Sequence, residues 1–214
     1  MDEDISIINS NTRNEKIKNF FINNKKFLLV ILSLFLLLIF SYFAYDGIQE
    51  KKNKNLSSTY NNIIIKFDPS NKTSVKNELI EIIYKKNSTY SPLALYFIID
   101  NDIQSSNEEI NDYFDVLINE VITDKEIKNL IIYKKGLFNS DFETENNLIT
   151  ILKPVINSDS VWKSHALYLI AEYFFDKNQK QKSKEFFNQI LNNKKSNKKI
   201  VLETKKRLMR DFNE

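Results

Sequence analysis

The sequence predicts an all-α protein: one N-terminal transmembrane helix followed by a right-handed α-solenoid of antiparallel helix pairs. Three observations predict it. Of 214 residues, 2 are Gly and 3 are Pro, where average usage would give roughly 15 glycines, so sheets and hairpins lack their usual turn residue. Residues 27–45, FLLVILSLFLLLIFSYFAY, carry no charge. From residue 56 onward, apolar side chains recur at intervals of three and four, the period of an amphipathic helix.

As a helix, the 27–45 run spans about 28.5 Å, against a hydrocarbon core of about 30 Å. Tyr42, Phe43 and Tyr45 lie at its C-terminal end, where amphipathic rings favour the interface. A cleaved signal peptide fits poorly, because the leading segment opens with Asp2, Glu3 and Asp4 and Tyr42-Phe43-Ala44 offers a bulky residue where cleavage wants a small one. Arg13, Lys16, Lys18, Lys25 and Lys26 precede the span, while Lys51, Lys52 and Lys54 follow it. That bias places the N-terminus in the cytoplasm. The expected division is a cytoplasmic segment 1–26, a transmembrane helix 27–45 and a helical-repeat domain 46–214 across the membrane.

Within 46–214 the periodicity predicts nine helices. Leu56, Tyr60, Ile63, Ile64 and Phe67 form the first, which stops at Asp68-Pro69-Ser70. The second covers 74–86, and a third starts within 88–92 and runs to about 102. The others cover 108–122, 125–138, 142–156, 161–176, 180–192 and 198–212. Pairs begin near 90, 125 and 161, a spacing of about 35 residues. Such pairs cannot bury both apolar faces alone, and stacking them produces a solenoid with a concave side.

Several chemistries are excluded by composition. Gly47 and Gly136 stand far apart, which removes dinucleotide fingerprints and phosphate loops. With no Cys and one His, thiolate catalysis, cysteine zinc sites and paired-histidine metal sites are absent. His165 beside Ser164 and Asp159 could in geometry form a triad, but a lone His on a helix is ordinarily a packing or surface residue. Asp100, Asp102, Glu108, Glu109, Asp112 and Asp115 lack the spacing and central Gly of a calcium loop. No catalytic, cofactor or metal site is expected, and no cofactor.

Residues 164–197 fit a specific repeat. Leu167, Ile170, Ala171 and Phe174 fall where a tetratricopeptide repeat places its large, large, small and aromatic residues on helix A, and Ser183, Phe187 and Ile190 match helix B. A small side chain at Ala171 allows the second helix close, while Phe174 and Phe187 fill the space between. Asn178 replaces the usual inter-helix glycine and can adopt the left-handed conformation of such a turn. Gly136 is the one clear small residue of the earlier repeats. Trp162, at a helix start, either packs between repeats or anchors a partner.

The segment KNFFINNKK before a single anchor, Ser57, Ser58 and Tyr60 after it, TYSPLALYFI at 89–98, KKGL at 134–137 and ILKPVINSDSVWKSHALYLIAEYFF at 151–175 together resemble a known family. This is the membrane-anchored, tetratricopeptide-like family of the ancillary subunit of the bacterial SecYEG translocon, in its alphaproteobacterial form. Pro154, Trp162, Ala166 and Ala171 carry the closest likeness. The resemblance implies a non-catalytic inner-membrane scaffold with a periplasmic domain. Its implied partners are translocon subunits, periplasmic chaperones and secreted clients. An envelope structural protein, coordinating division or outer-membrane assembly with the same anchor and repeats, is the alternative.

Charge is uneven. Residues 100–126 hold nine acidic groups and one basic, and residues 177–210 hold twelve basic and two acidic. They are either solvated faces or docking surfaces for anionic lipid or acidic loops. The basic run lacks the stacking aromatics of single-strand binders, so nucleic acid is not an expected partner. On helix 161–176, Tyr168, Glu172 and Phe175 form a stripe beside the packing residues. The stripe either lines a groove for apolar and basic segments or packs against 198–212. The lysine bias makes the first prediction: a reporter fused after Glu214 is active outside the cytoplasm and silent inside it, and a cytoplasmic signal would reverse the topology.

Overall fold

A computed structural model describes residues 15–212 of the chain. Asp2, Glu3, Asp4 and Arg13, used in the topology argument, lie outside the described residues. Among the described residues there is no strand. Residues 15–23 are helical, and helix α1 follows (Lys25–Ile65). Its apolar part has no buried side chain and is long and apolar enough to cross a membrane. Ser33, a polar residue in that run, donates its hydroxyl to the Val30 carbonyl at 2.9 Å, so it is satisfied within its own helix, as hydrocarbon demands.

α1 does not end at Tyr45. Residues 46–55, DGIQEKKNKN, remain helical, since Gln, Glu and Lys are good helix formers even without packing. The helix expected from Leu56 is therefore the last part of α1. The chain divides into compact units between Asn55 and Leu56, ten residues beyond the expected boundary at 46. Leu56 is the first side chain of α1 to pack on the core, followed by Tyr60 and Ile63.

The second unit continues with a single 3-10 turn (Pro69–Asn71), closed by reciprocal hydrogen bonds of Asp68 and Asn71. Eight helices follow: α2 (Lys72–Tyr84), α3 (Tyr90–Asp100), α4 (Asn107–Asn119), α5 (Lys125–Asn139), α6 (Glu145–Ile156), α7 (Lys163–Asp176), α8 (Lys180–Asn192) and α9 (Lys198–Asp211). Four of them, α4, α5, α6 and α9, start with a polar side chain that caps the first turn. Ser106 and Glu109 form a capping box at α4, and Asp124, Thr144 and Asn197 accept from the first turns of α5, α6 and α9. These caps satisfy amides that a helix start leaves open.

With almost no glycine, the helix ends use other residues. Asp102 and Asn178 adopt left-handed φ of 48° and 58° after α3 and α7. The next amide then reaches back to the helix, from Ile103 to the Ile98 carbonyl at 3.0 Å and from Gln179 to the Phe174 carbonyl at 2.8 Å. This is a Schellman closure. Short polar side chains tolerate that backbone better than others do.

Close helix approach occurs at small residues. Ala94 is fully buried in α3, and Ser91 donates to the Ile82 carbonyl of α2 at 2.8 Å. The same device recurs between α7 and α8, where Ala171 is fully buried and Ser183 donates to its carbonyl at 2.8 Å. Between α5 and α6 a Cβ on Gly136 would fall 2.7 Å from Leu152 Cγ. The closest neighbours are α2 with α3, α5 with α6 and α7 with α8. Pairs thus begin near 125 and 161 as expected, but the pair expected from 90 differs, because Ser91 and Ala94 turn α3 toward α2 rather than α4.

Helices two apart also touch. Lys76 of α2 pairs with Glu109 of α4 at 3.2 Å, Tyr133 of α5 stacks on Trp162 before α7, and Arg207 of α9 meets Glu172 of α7. The core accordingly forms three successive clusters, centred on α2–α4, on α5–α7 and on α7–α9. Replacing Ala171 by Leu should overpack the α7–α8 contact and cost ~1 to 3 kcal/mol, and Gly136→Ala should displace Leu152 at a similar cost. Thermal unfolding of the detergent-solubilised chain measures both, and unchanged midpoints would contradict the close approach.

Candidate functional site

No shared contact as close as those binds α3 to α5. A groove of about 670 Å³ opens between residues 88–96 and 122–131, lined mainly by apolar side chains that include Pro92, Leu93, Tyr96, Ile122, Ile127 and Leu130. Ile122 is 93% exposed, Leu93 39% and Ile127 38%. An apolar concavity this size, open to solvent, is the ordinary geometry of a recognition site. Tyr96 lies in its wall with its hydroxyl buried and unpartnered, and burial pushes that phenol up to about 12. The Lys134 ammonium stands 5.6 Å above the Tyr96 ring. Sequence reading missed this groove. Its signal was Ile122, a large apolar residue inside a polar connection.

Tyr168, Glu172 and Phe175 do come together on α7, but beneath α9 rather than in an open channel. All three are half-buried. The Tyr168 ring packs on Phe187 at 5.4 Å, and burial first, then the Glu172 carboxylate, push its phenol up to about 12. Phe175 meets the Phe212 ring at 5.5 Å and lies 4.1 Å under the Arg207 guanidinium. Glu172 accepts two hydrogen bonds from Arg207, at 3.0 and 2.7 Å. Asp211 also accepts from Arg207, at 2.6 Å. Planar, two-pronged pairing of this kind is the stronger class of ion pair. It leaves a polar cleft of about 310 Å³ lined by Tyr168, Glu172, Glu203, Lys206, Arg207 and Arg210.

The packing residues are placed as follows. Leu167, Ala171, Phe174 and Phe187 are buried. Phe174 stacks on Phe186 at 5.5 Å, and Phe187 faces Tyr168 and Phe212. Trp162 lies between α5 and α7, stacked 5.8 Å from Tyr133 and tilted against His165 at 5.1 Å.

Ser164, His165 and Asp159 do not assemble into a triad. Ser164 Oγ accepts from the Asn197 amide at 3.2 Å, Asp159 pairs with Lys195 at 2.7 Å, and His165 packs in the Trp162–Tyr133 aromatic cluster. Among the described residues no group of three His, Asp or Glu side chains is placed to hold a metal ion. The acidic 100–126 stretch is partly tied to neighbouring helices: Glu109 to Lys76, Asp115 to Lys135 and Glu120 to Lys86, with Glu126 accepting from Ser160 at 2.7 Å. In the basic stretch, Lys182 and Lys195 pair with Glu145 and Asp159.

Compared with known proteins, the chain matches no family model, no curated protein and no solved structure.

Burial lowers the His165 pKa, against a smaller opposing effect of the Val161 backbone. The folded state therefore prefers the neutral ring, while the unfolded chain takes up a proton below about pH 6.5. Its contribution is full above that value and is lost as pH falls through the lower folded pKa. His165→Phe should flatten the decline of the unfolding midpoint as pH falls below about 6.5, above the range where carboxylates titrate. A decline identical to that of the parent chain would assign it to other groups.

Proposed function

We propose that this chain is a single-pass inner-membrane scaffold whose periplasmic, tetratricopeptide-like domain binds polypeptides at the Sec translocon and assists their hand-off to periplasmic chaperones. The observation that carries the reading is the groove between α3 and α5. It is an exposed apolar surface, in a chain that also holds one helix long and apolar enough to span a membrane. Apolar side chains left in water at a concave site suit apolar segments of unfolded or emerging protein, which bind by surface burial without sequence-specific polar contacts.

Support for the repeat architecture comes from the recurrence of contacts about one pair apart. Lys76 and Glu109 are separated by 33 residues, Ser160 and Glu126 by 34, and Arg207 and Glu172 by 35. Nearest-neighbour stacking of this kind is how repeat domains are built. The translocon assignment comes from the resemblance of 89–98, 134–137 and 151–175 to the ancillary-subunit family, and the lysine bias before residue 27 gives the orientation. The second reading, an envelope assembly coordinator, draws on the same anchor and the same helices.

Purification in mild detergent followed by mass spectrometry separates the two. Translocon subunits and secreted chains should dominate the co-purifying proteins, and division or outer-membrane assembly proteins in their place would favour the second reading. The groove is tested in the same experiment. Because Leu93 and Ile122 are exposed, Leu93→Ser with Ile122→Ser should change stability by less than about 1 kcal/mol yet remove most of the bound polypeptide. Retention of the same partners would move the binding surface elsewhere.

A further inference from the structure

We propose that α9 is an internal occupant of a second recognition face, and that this face, formed by α7 and α8, accepts a basic amphipathic helix of a partner in its place. The face carries two aromatic rings and a carboxylate, Tyr168, Phe175 and Glu172. Such a surface matches a helix with apolar anchors and a guanidinium, and α9 is a helix of that composition. Its 14 residues, KKIVLETKKRLMRD, include six basic and two acidic side chains. Arg207 supplies the guanidinium, bonded twice to Glu172 and laid over Phe175. Phe212, just past the helix, adds a ring against Phe175 and Phe187.

The hold of α9 differs in kind from that of its neighbours. In α7 seven residues are buried, among them Leu167, Ile170 and Phe174, whereas in α9 Thr204 alone is. The Thr204 hydroxyl is buried without a hydrogen-bond partner, which weakens rather than strengthens the contact. Ile200, Val201, Leu208 and Phe212 are half-buried, while Leu202 and Met209 face solvent at 52% and 69% exposure. What fastens α9 is therefore a modest apolar contact, the Asn197 amide's hydrogen bond to Ser164 at its start, and one charged cluster, Glu172–Arg207–Asp211. Elements held by few buried apolar contacts open locally before the whole fold does. Release uncovers Leu167, Ala171 and Phe187, so the opened form is a minor one that an incoming helix of the same chemistry captures.

This inference rests on the reading of the helical domain as a polypeptide-binding scaffold, and it holds whichever membrane machinery that scaffold serves. Two measurements test it on the detergent-solubilised chain. In hydrogen exchange, α9 amides should exchange at least about tenfold faster than those of α7 and α8 through local opening. Arg207→Ala should accelerate α9 further and leave α7 unchanged. In binding, a fluorescent peptide of residues 196–212 should bind a chain truncated after Lys195 at least about tenfold more tightly than the full chain, and Arg207→Ala in the peptide should weaken it about tenfold. Equal protection of α7, α8 and α9 would overturn the proposal. So would a folded truncated chain that ignores the peptide. If the truncated chain does not stay folded, the exchange result decides alone. Translocon co-purification is not involved in either readout, so failure here and failure of that assignment are told apart.

Discussion

The helical domain depends on helices approaching closely at a few small side chains. Ala94, Gly136 and Ala171 are each at such a contact, and in two of the three pairs a serine hydroxyl of one helix bonds a backbone carbonyl of the other. A buried hydroxyl normally costs free energy unless it is satisfied. Here the carbonyl it uses is already part of a helix and has a second lone pair available. The result is a narrow separation at one point, from which the flanking Leu, Ile and Phe side chains on both helices reach each other. Without those points, the same apolar residues would be held too far apart to close a core from helices of only 11 to 15 residues.

Much of this was legible in the sequence, and the particulars show why. The three-and-four period fixes which face is buried irrespective of what covers it, so helices such as 180–192 are located within a residue or two. Ala171 and Gly136 stand out because a small residue interrupts an otherwise large apolar face. Asn178 could be read as a left-handed residue because few side chains tolerate that backbone. Residues 46–55 were harder: a polar run with a glycine resembles a linker, yet nothing in it stops a helix that is already propagating. The partner of α3 was not legible either. Period alone does not say whether Ser91 and Ala94 face the helix before or the helix after.

The candidate sites follow the same division. Tyr168, Glu172 and Phe175 share a face by helical geometry, and this part of the reading required no tertiary knowledge. What lies on that face is a long-range fact, set by the connection at 193–197 and by Arg207 thirty-five residues away. The groove between α3 and α5 is more remote still from local pattern. Its two sides, 88–96 and 122–131, are distant in sequence, and their meeting leaves no periodic trace in either one.

The floor of that groove has a mechanical meaning. Ile131 of α5, which lines it, belongs to the same core cluster as Ala94, Leu95 and Ile98 of α3, so the two walls of the opening are joined at its floor. Parting α3 from α5 would therefore mean breaking buried apolar contact, whereas Leu93 and Ile122 at the rim can shift without touching that cluster. The opening is thus soft at its edge and stiff at its base.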